Sequence, residues 1–358
     1  MFTKIRKRLR KFFSRNNNNA PSSLTFDDPT VWYQLTYVNL SNCSGITTLP
    51  KELGASPHLE KLVLSNNGFG ASVEFKWHWL QQTAIQNNLR FLDLSKNSLT
   101  ELPACIGKLS ALTELIVCHN SLRFLPRDLG TLPHLEKLVL SNNGFGASHE
   151  FEWHWLQQTA IQNNLRFLDL SKNSLMIVLP ACIGKLSALT ELIVCHNSLR
   201  YLPQSIGNLR NLQVLRSSNN KLFYLPGSMM NMQLETLDVS TNDFLTLDGT
   251  LIFKELTLRI LAAKVVLKNR STYRKERDNI PPELFKQFEY LETETNYCLY
   301  CKRPCLDSYI TEFMRLNPLC IANTTILDTE ENEILSFQCY FCSPDCREKS
   351  RILNIWLE

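Results

Sequence analysis

Aliphatic residues recur along the chain in one fixed order. The order is an aliphatic residue, two variable residues, an aliphatic, one variable, an aliphatic, two variable, Asn or Cys, one variable and a last aliphatic. It begins nine times, most often at intervals of 22–24 residues, at Leu35, Leu59, Leu89, Leu112, Leu135, Leu165, Leu189, Leu212 and Leu234. The alternating part predicts a short strand in each unit, with its aliphatic side chains pointing inward. Since one unit cannot bury these side chains alone, we expect the units to stack.

This order is the signature of a leucine-rich repeat. The sequence therefore predicts an α/β leucine-rich-repeat solenoid, a horseshoe with parallel strands on its concave face, followed by a small helical and Cys-rich zinc-binding module. The boundaries we predict are a basic, Asn-rich disordered tail over 1–30, the solenoid over 31–250, a helical cap over 251–295 and the Cys-rich module over 296–350. In the eight units that have Asn at the Asn-or-Cys position, its side chain is expected to satisfy backbone groups at the turn.

Two of the units span 30 residues, starting at Leu59 and Leu135. Their additional residues include Trp77-His78-Trp79, which we interpret as core packing of a longer convex helix, with a metal or ligand site as the alternative. These units belong to a block of three repeats that occurs twice, as residues 58–133 and 134–210, almost unchanged. A recent duplication and an error in the predicted gene both explain the second copy.

The outward positions of the strands form columns on the expected concave face. Their mixture of aromatic, aliphatic and charged side chains suits a protein partner better than a polyanion. The candidate contact residues are Tyr37, Lys61, Phe91, Asp93, Glu114, Ile116, Lys137, Phe167, Asp169, Glu191, Ile193, Arg216 and Asp238.

Charge is concentrated at the N-terminus of the chain. Residues 1–15 contain seven Lys and Arg residues and no acid, whereas the whole chain has a formal net charge of only +4. The remainder therefore shows no general nucleic-acid signature. A disordered tail, a nuclear localisation signal, a membrane contact and an organelle presequence are the alternatives for this segment. No secretory signal or membrane-spanning run is present, so we expect a cytoplasmic or nuclear protein with reduced cysteines.

Two short segments after the last repeat have the pattern of adaptor-binding helices. Residues 257–266 place Leu258, Leu261, Ala262 and Val265 on one helical face and fit the loose pattern of a BC box, the helix that docks into a groove of elongin C. The alternative is a helix that only caps the solenoid. Ile280-Pro281 with Leu284 looks like a cullin box, and the absence of a Leu-Pro-x-Pro core favours cullin-2 over cullin-5. Here the alternative is a proline that starts an ordinary helix.

The cysteines near the C-terminus have the spacing of a zinc site. Cys298, Cys301 and Cys305 are followed by Cys339, Cys342 and Cys346. Two close pairs separated by a loop can supply four thiolates to a tetrahedral Zn²⁺. Six cysteines for four positions leave the ligand set open, and no position is reserved for water, which favours a structural site. The alternative is a set of buried free thiols.

Taken in order, these tail features resemble the leucine-rich repeat-containing protein 58 family and, more distantly, leucine-rich repeat protein 1. The most specific element is Cys342-Ser343-Pro344-Asp345-Cys346. The resemblance implies a substrate receptor joined to a cullin–RING ubiquitin ligase through elongins B and C. It implies contacts to elongin C from Thr257, Leu258, Ala262 and Val266, and contacts to the cullin from Ile280, Pro281 and Leu284. It also favours Cys301, Cys305, Cys342 and Cys346 as zinc ligands, with Cys298 and Cys339 as alternates.

The function we predict is a non-catalytic adaptor that binds an unidentified protein substrate and delivers it for ubiquitin transfer by partner subunits. An enzyme would need a nucleophile beside a base, or an open metal position, and the sequence suggests neither. The alternative is a leucine-rich-repeat scaffold in small-GTPase or phosphatase signalling, with no role in ubiquitin transfer.

Overall fold

The computed structural model describes ten stretches of the chain, namely 35–43, 49, 51–71, 77–146, 153–173, 179–245, 249–254, 295–305, 308–327 and 334–352. The described residues divide into two compact units. Unit 1 lies within residues 1–176 and 186–197, and unit 2 lies within residues 177–185 and 198–358.

Seven short strands form the sheet of unit 1. They are β1 (Tyr37–Asn39), β2 (Lys61–Val63), β3 (Phe91–Asp93), β4 (Glu114–Ile116), β5 (Lys137–Val139), β6 (Phe167–Asp169) and β7 (Glu191–Ile193). Neighbours in the chain pair in parallel and in register. The middle residue of every strand is buried, as in Leu92 of β3, while the residues before and after it remain at least partly exposed. This pattern confirms the predicted repeat fold.

Short helices return the chain from one strand to the next. Unit 1 contains α1 (Lys51–Gly54), α2 (Thr83–Asn88) and α3 (Thr159–Asn164), together with 3-10 helices at Phe69–Ala71, Trp77–Gln81, Ala104–Lys108, Arg127–Thr131 and His154–Gln157. The 3-10 helices stack closely, since a Cβ on Gly107 would lie 2.3 Å from the carbonyl oxygen of Asp128. Trp79 and Trp155 are buried beneath the long repeats, and His78 is exposed. The described part of these repeats therefore agrees with core packing of the Trp-His-Trp segment.

A ladder of asparagine side chains links successive repeats. Asn97 shows the pattern, because its Nδ2 donates hydrogen bonds to the carbonyl oxygens of Leu64 (2.9 Å) and Leu94 (2.9 Å). Its Oδ1 accepts a hydrogen bond from the backbone N–H of Asn67 at 2.8 Å. Asn97 is fully buried, so these bonds satisfy backbone groups that water cannot reach. The predicted role of this position is confirmed.

Unit 2 contains the last repeats and the Cys-rich residues. Its strands are β8 (Val214–Arg216), β9 (Leu225–Pro226), β10 (Leu234–Asp238), β11 (Gly249–Lys254), β12 (Ser308–Leu316), β13 (Ala322–Ile326) and β14 (Leu335–Phe341), and α4 spans Pro344–Ile352. Its 3-10 helices are Ala181–Lys185, Gln204–Asn208, Gly227–Asn231 and Pro318–Cys320.

Two sheets organise unit 2. In the first, β8, β10 and β13 run parallel, so that β13 continues the repeat sheet although its sequence carries no repeat motif. In the second, β11, β12 and β14 are antiparallel, and β9 of the last repeats pairs with β14 in parallel. The sequence predicts a helical cap that begins at residue 251, but the structure places residues 251–254 in strand β11. The reason is that Gly249–Lys254 pairs along its whole length with β12.

The last repeats contact the Cys-rich residues through specific groups. The Gln204 side chain donates a hydrogen bond to the carbonyl oxygen of Gln338 at 2.9 Å. Gly227 lies so close to β14 that a Cβ there would be 2.6 Å from Sγ of Cys339. Tyr224 packs between Tyr201 and Phe313, with ring centroids 5.1 and 5.2 Å away. The Cys-rich module, whose described residues are 295–305, 308–327 and 334–352, therefore packs directly against these last repeats.

None of the helices in the described stretches has both the length and the apolar character that a membrane span requires.

Candidate metal centre and partner-binding face

A tight hairpin positions the first cysteine pair. Cys298 donates its backbone N–H to the carbonyl oxygen of Arg303 (2.8 Å) and accepts the N–H of Lys302 (3.0 Å). An antiparallel bridge between Tyr297 and Pro304 closes the hairpin. Lys302 adopts a φ of 60°, the left-handed conformation that reverses the chain direction. The hairpin brings the thiols of Cys298 and Cys301 to the same side of one turn.

The second pair comes from the junction of β14 and α4. Cys342 directly follows β14, and Cys346 lies in the first turn of α4. Pro344 is the first residue of that helix, where a missing N–H costs nothing and the fixed φ favours helix formation. The backbone N–H of Leu299 donates to the carbonyl oxygen of Tyr340 at 2.8 Å, which fastens the hairpin to β14. The two pairs therefore face each other.

Four sulfur atoms meet at this point with the dimensions of a tetrahedral metal site. In the described part of the chain, the Sγ atoms of Cys298, Cys301, Cys342 and Cys346 all lie within 4.8 Å of one another. The Cys301–Cys342 and Cys342–Cys346 distances are 3.5 and 3.6 Å. Zinc–sulfur bonds of about 2.3 Å in a tetrahedron separate the sulfurs by about 3.8 Å. The four thiols fit a metal ion of this kind.

The environment of Cys301 favours its thiolate. Burial opposes ionisation, but the backbone N–H of Arg303 and the thiols of Cys342, Cys298 and Cys346 lower its pKa to about 7. Burial raises the pKa of Cys342, and its hydrogen bonds with Cys301 and Cys346 act in the same direction. One thiol of the cluster thus ionises readily while its neighbour resists. A divalent cation among the four sulfurs would favour the thiolate form of all of them.

The cluster differs from the ligand set that the family resemblance favours, because Cys298 takes the place of Cys305. Cys305 lies beyond the hairpin turn, where its N–H donates to the carbonyl oxygen of Asn296 at 2.8 Å. It is buried, and burial together with the neighbouring thiols raises its pKa to about 12. Cys339 faces the repeats from within β14, with its Sγ 3.7 Å from Sδ of Met230, and burial raises its pKa as well.

A partly buried ion pair holds the helix that carries Cys346. Arg347 donates to both carboxylate oxygens of Glu312, at 2.8 and 3.0 Å, and Glu312 on β12 is only 7% exposed. Two parallel bonds of this kind fix orientation as well as distance. The pair therefore positions α4 against β12. Sequence reasoning missed it, because the partners are 35 residues apart and neither belongs to a recognisable motif.

The second candidate site is the sheet face, defined as the outward side chains of β1–β7. The predicted contact residues of unit 1 all lie on it, half-buried except for the exposed Lys61. The amine of Lys61 lies 4.2 Å from the ring centroid of Phe91, and that of Lys137 lies 5.5 Å from the ring centroid of Phe167. Lys137 also forms a 2.7 Å ion pair with Glu114. The outward side chains at the start of these strands therefore contact one another through ion-pair and cation–π interactions.

The two predicted contact residues of unit 2 are on its own parallel strands. Arg216 is exposed at the end of β8. Asp238 ends β10, where its Oδ1 accepts hydrogen bonds from the backbone N–H of Ser240 (3.2 Å) and from its hydroxyl (2.8 Å). Both therefore occupy the outward positions that the repeat pattern predicts.

Comparison with known families agrees with this architecture. A family model described as "Leucine rich repeat" matches residues 80–145, and a second, "Leucine Rich Repeat", matches residues 164–186. Both matched stretches lie within the stacked repeats, which have the leucine-rich-repeat fold. No curated protein matches it.

Two solved structures resemble this one in part. A leucine-rich-repeat protein of Leptospira interrogans has a TM-score of 0.47 and 27% identity over 61% of this chain and 58% of its own. Internalin C2 of Listeria monocytogenes has a TM-score of 0.43 and 20% identity over 54% of this chain and 75% of its own. The present chain thus spans little more than half the length of the Leptospira protein.

The predicted ligase-binding residues lie outside the described residues. These are Thr257, Leu258, Ala262 and Val266 of the BC-box-like segment, and Ile280, Pro281 and Leu284 of the cullin-box-like segment. The basic residues 1–15 lie outside them as well. Their roles stay predictions from the sequence.

Proposed function

We propose that this leucine-rich-repeat protein is a non-catalytic adaptor that binds a target protein on its sheet face and presents it to a cullin–RING ubiquitin ligase. The observation that carries the protein-binding part is the sheet face itself. It offers aromatic, aliphatic and charged side chains on a continuous parallel sheet, and its buried middle residues keep those side chains in fixed positions. Such a mixture is typical of surfaces that bind proteins.

The ligase part of the proposal rests on the sequence of the tail. Leu258 and Ala262 have the spacing that would fill a groove of elongin C, and Ile280-Pro281 with Leu284 would follow as the cullin contact, with cullin-2 favoured. The Cys342–Cys346 element, which belongs to the same family pattern, lies in the four-thiol cluster. Ubiquitin transfer itself would be performed by the partner subunits.

In this proposal the four-thiol cluster holds a structural zinc ion. Zinc would link the hairpin of Cys298 and Cys301 to the β14–α4 junction of Cys342 and Cys346, which are more than 40 residues apart in sequence. All four positions are thiols, so no coordination position remains for water or substrate. The ion would therefore stabilise the Cys-rich module and perform no chemistry.

Co-purification tests the ligase assignment. The tagged full-length chain should recover elongins B and C, and Leu258→Asp should reduce that recovery by about tenfold or more, because a charge would enter an apolar groove. Lys264→Asp changes charge on the same segment outside the predicted contact positions and should leave recovery unchanged. If the wild-type chain recovers no elongin, or if Leu258→Asp recovers as much as wild type, the ligase assignment is wrong and a scaffold without a ubiquitin role takes its place.

Metal analysis of the purified chain tests the zinc site and its ligands. Wild-type protein should hold about one equivalent of zinc, and Cys298→Ser should lower this well below half, because three thiolates bind zinc much more weakly than four. Cys305→Ser should retain the metal, since its thiol lies outside the cluster. Cys320→Ser is the matched control. Loss of zinc in Cys305→Ser with retention in Cys298→Ser would restore the ligand set that the family resemblance favours.

A further inference from the structure

The duplicated block gives the sheet face a repeating arrangement of side chains. Strand register aligns two rows across β2–β7. The first row is Lys61, Phe91, Glu114, Lys137, Phe167 and Glu191, and the second row is Val63, Asp93, Ile116, Val139, Asp169 and Ile193. Each row therefore shows the same three residues twice, displaced by three strands.

The first row is electrically balanced. Its two lysines match its two glutamates in number, and Lys137 is already paired with Glu114 at 2.7 Å. The lysines also lie over the phenylalanine rings. This row presents little unsatisfied charge to a partner.

The second row carries the uncompensated charge of the face. Its charged members are Asp93 and Asp169, and the residues between them are the aliphatic Ile116 and Val139 on adjacent, paired strands. Both carboxylates are oriented alike, because each Oδ1 accepts the backbone N–H of the serine two residues later at 2.8 Å. The second carboxylate oxygen of each aspartate, Oδ2, takes no part in that hydrogen bond. The four residues form a half-buried row with an acid at each end and an aliphatic centre.

From this row we infer that the sheet face binds an extended peptide segment of its target with the pattern basic, any residue, aliphatic, any residue, basic. Asp93 and Asp169 are separated by three interstrand steps of about 4.8 Å, or about 14 Å. Four residues of nearly extended chain span about the same distance. In such a chain the side chains of the first, third and fifth residues point to the same side.

The chemistry of each position follows from the row. The outer basic side chains would form charge-assisted hydrogen bonds to Oδ2 of Asp93 and Asp169, and arginine would do so with the better geometry. The central aliphatic side chain would pack on Ile116 and Val139. The row joins β3 and β4 of the first block to β5 and β6 of the second, so neither block contains it alone. This inference rests on the proposed protein-binding function and specifies the segment that the face recognises.

A set of synthetic peptides tests the pattern. The probe is a fluorescent peptide containing Arg-Thr-Val-Thr-Arg, measured by anisotropy with the full-length chain. Its affinity should exceed that of the peptide with one arginine replaced by threonine by about tenfold or more, because the second contact forms within an existing complex. Peptides with the arginines two or seven residues apart should bind no better than the single-arginine peptide.

Matched variants locate the contacts. Asp93→Asn and Asp169→Asn each keep the oxygen that accepts the serine N–H, so both should fold, and each should lower the affinity to that of the single-arginine peptide. The double variant should lose binding further, and Asp128→Asn, in a 3-10 helix away from the sheet face, should bind as wild type.

Affinity that ignores arginine spacing, or that depends on only one of the two aspartates, would overturn the inference, as would the absence of any binding to the probe. These outcomes are separate from the test of the ligase assignment. Loss of elongin recovery leaves the peptide measurements unaffected, and peptides that fail to bind leave elongin recovery unaffected.

Discussion

The stacked repeats and the Cys-rich module reach stability by opposite means. In the repeats of unit 1, each strand has three residues with a buried aliphatic centre, and an asparagine follows six of the seven strands at the same place. The module instead contains the nine-residue strand β12, a two-bonded Arg347–Glu312 pair and a single cluster of four thiols. The repeats therefore distribute stability over many equivalent contacts, whereas the module concentrates it at one point. We therefore expect a destabilising substitution in one repeat to loosen only the neighbouring repeats. Loss of the thiol cluster should instead unfold the whole module.

Removal of metal should produce the largest difference between the two regions. Structural zinc contributes on the order of 10 kcal/mol in small modules, so a strong chelator should release much of the order in 295–305 and 335–352. The strands β2–β4 should keep their protection, because their burial involves no thiol cluster. Hydrogen exchange measured by mass spectrometry compares the two, and readdition of zinc is the control. Equal loss of protection in both regions would contradict this prediction, because it would show that the order of β2–β4 also depends on the metal.

The substitution Asn97→Ala should have an intermediate effect confined to the repeats. It leaves the backbone N–H of Asn67 without its acceptor in a buried place, at a cost of about 2 kcal/mol, whereas the carbonyl oxygen of Leu64 keeps its hydrogen bond from the Asn67 side chain. Urea unfolding measures the change, and hydrogen exchange should show it near β2–β4 but not in the module. Asn87→Ala, at an exposed position of α2, is the matched control. A change as small as that of the control would contradict the role of the ladder.

The smallest effect is expected for Trp155→Phe and its counterpart Trp79→Phe. Both indole Nε1 atoms are buried, and no hydrogen-bond partner for them lies among the described residues. Loss of an unsatisfied donor offsets the loss of packed volume, so the free energy of unfolding should change by less than about 1 kcal/mol. Thermal unfolding of the two variants, which should behave alike, provides the check. A loss above about 2 kcal/mol in either would mean that its indole is hydrogen-bonded in solution.

The repeats could be predicted from sequence because their pattern is local. Leu62, Leu92 and Leu115 are buried and their neighbours face outward, as the alternation requires when each three-residue strand must bury its centre. The asparagine positions follow for the same reason. In both cases the constraint is written within one short motif, which occurs nine times with an asparagine at its turn in eight of them.

The module could be predicted only in part because its arrangement depends on distant pairing. Cysteine spacing gave the kind of site, but Cys298, Cys301 and Cys305 are similarly spaced. The hydrogen bonds of the hairpin decide which two face Cys342 and Cys346. The strand Ala322–Ile326 contains no repeat motif, and it joins the repeat sheet through pairing with Leu234–Asp238, more than 80 residues earlier. The roles of Leu258 and Ile280 stay predictions.

The seat of the module on Gln204 and Gly227 has a consequence for how such a chain can change in length. The corresponding residues after Leu-Pro in the earlier repeats are Lys51, Ala104, Arg127 and Ala181, which offer neither the amide of Gln204 nor the bare backbone of Gly227. Among the repeats with a Leu-Pro pair, only the seventh and eighth, which start at Leu189 and Leu212, therefore offer these two contacts to the module. Copies of the earlier repeats can be gained or lost internally without disturbing these contacts, whereas truncation at the end would remove them. The repeats that contact the module must therefore be kept, whereas the number of repeats before them can vary.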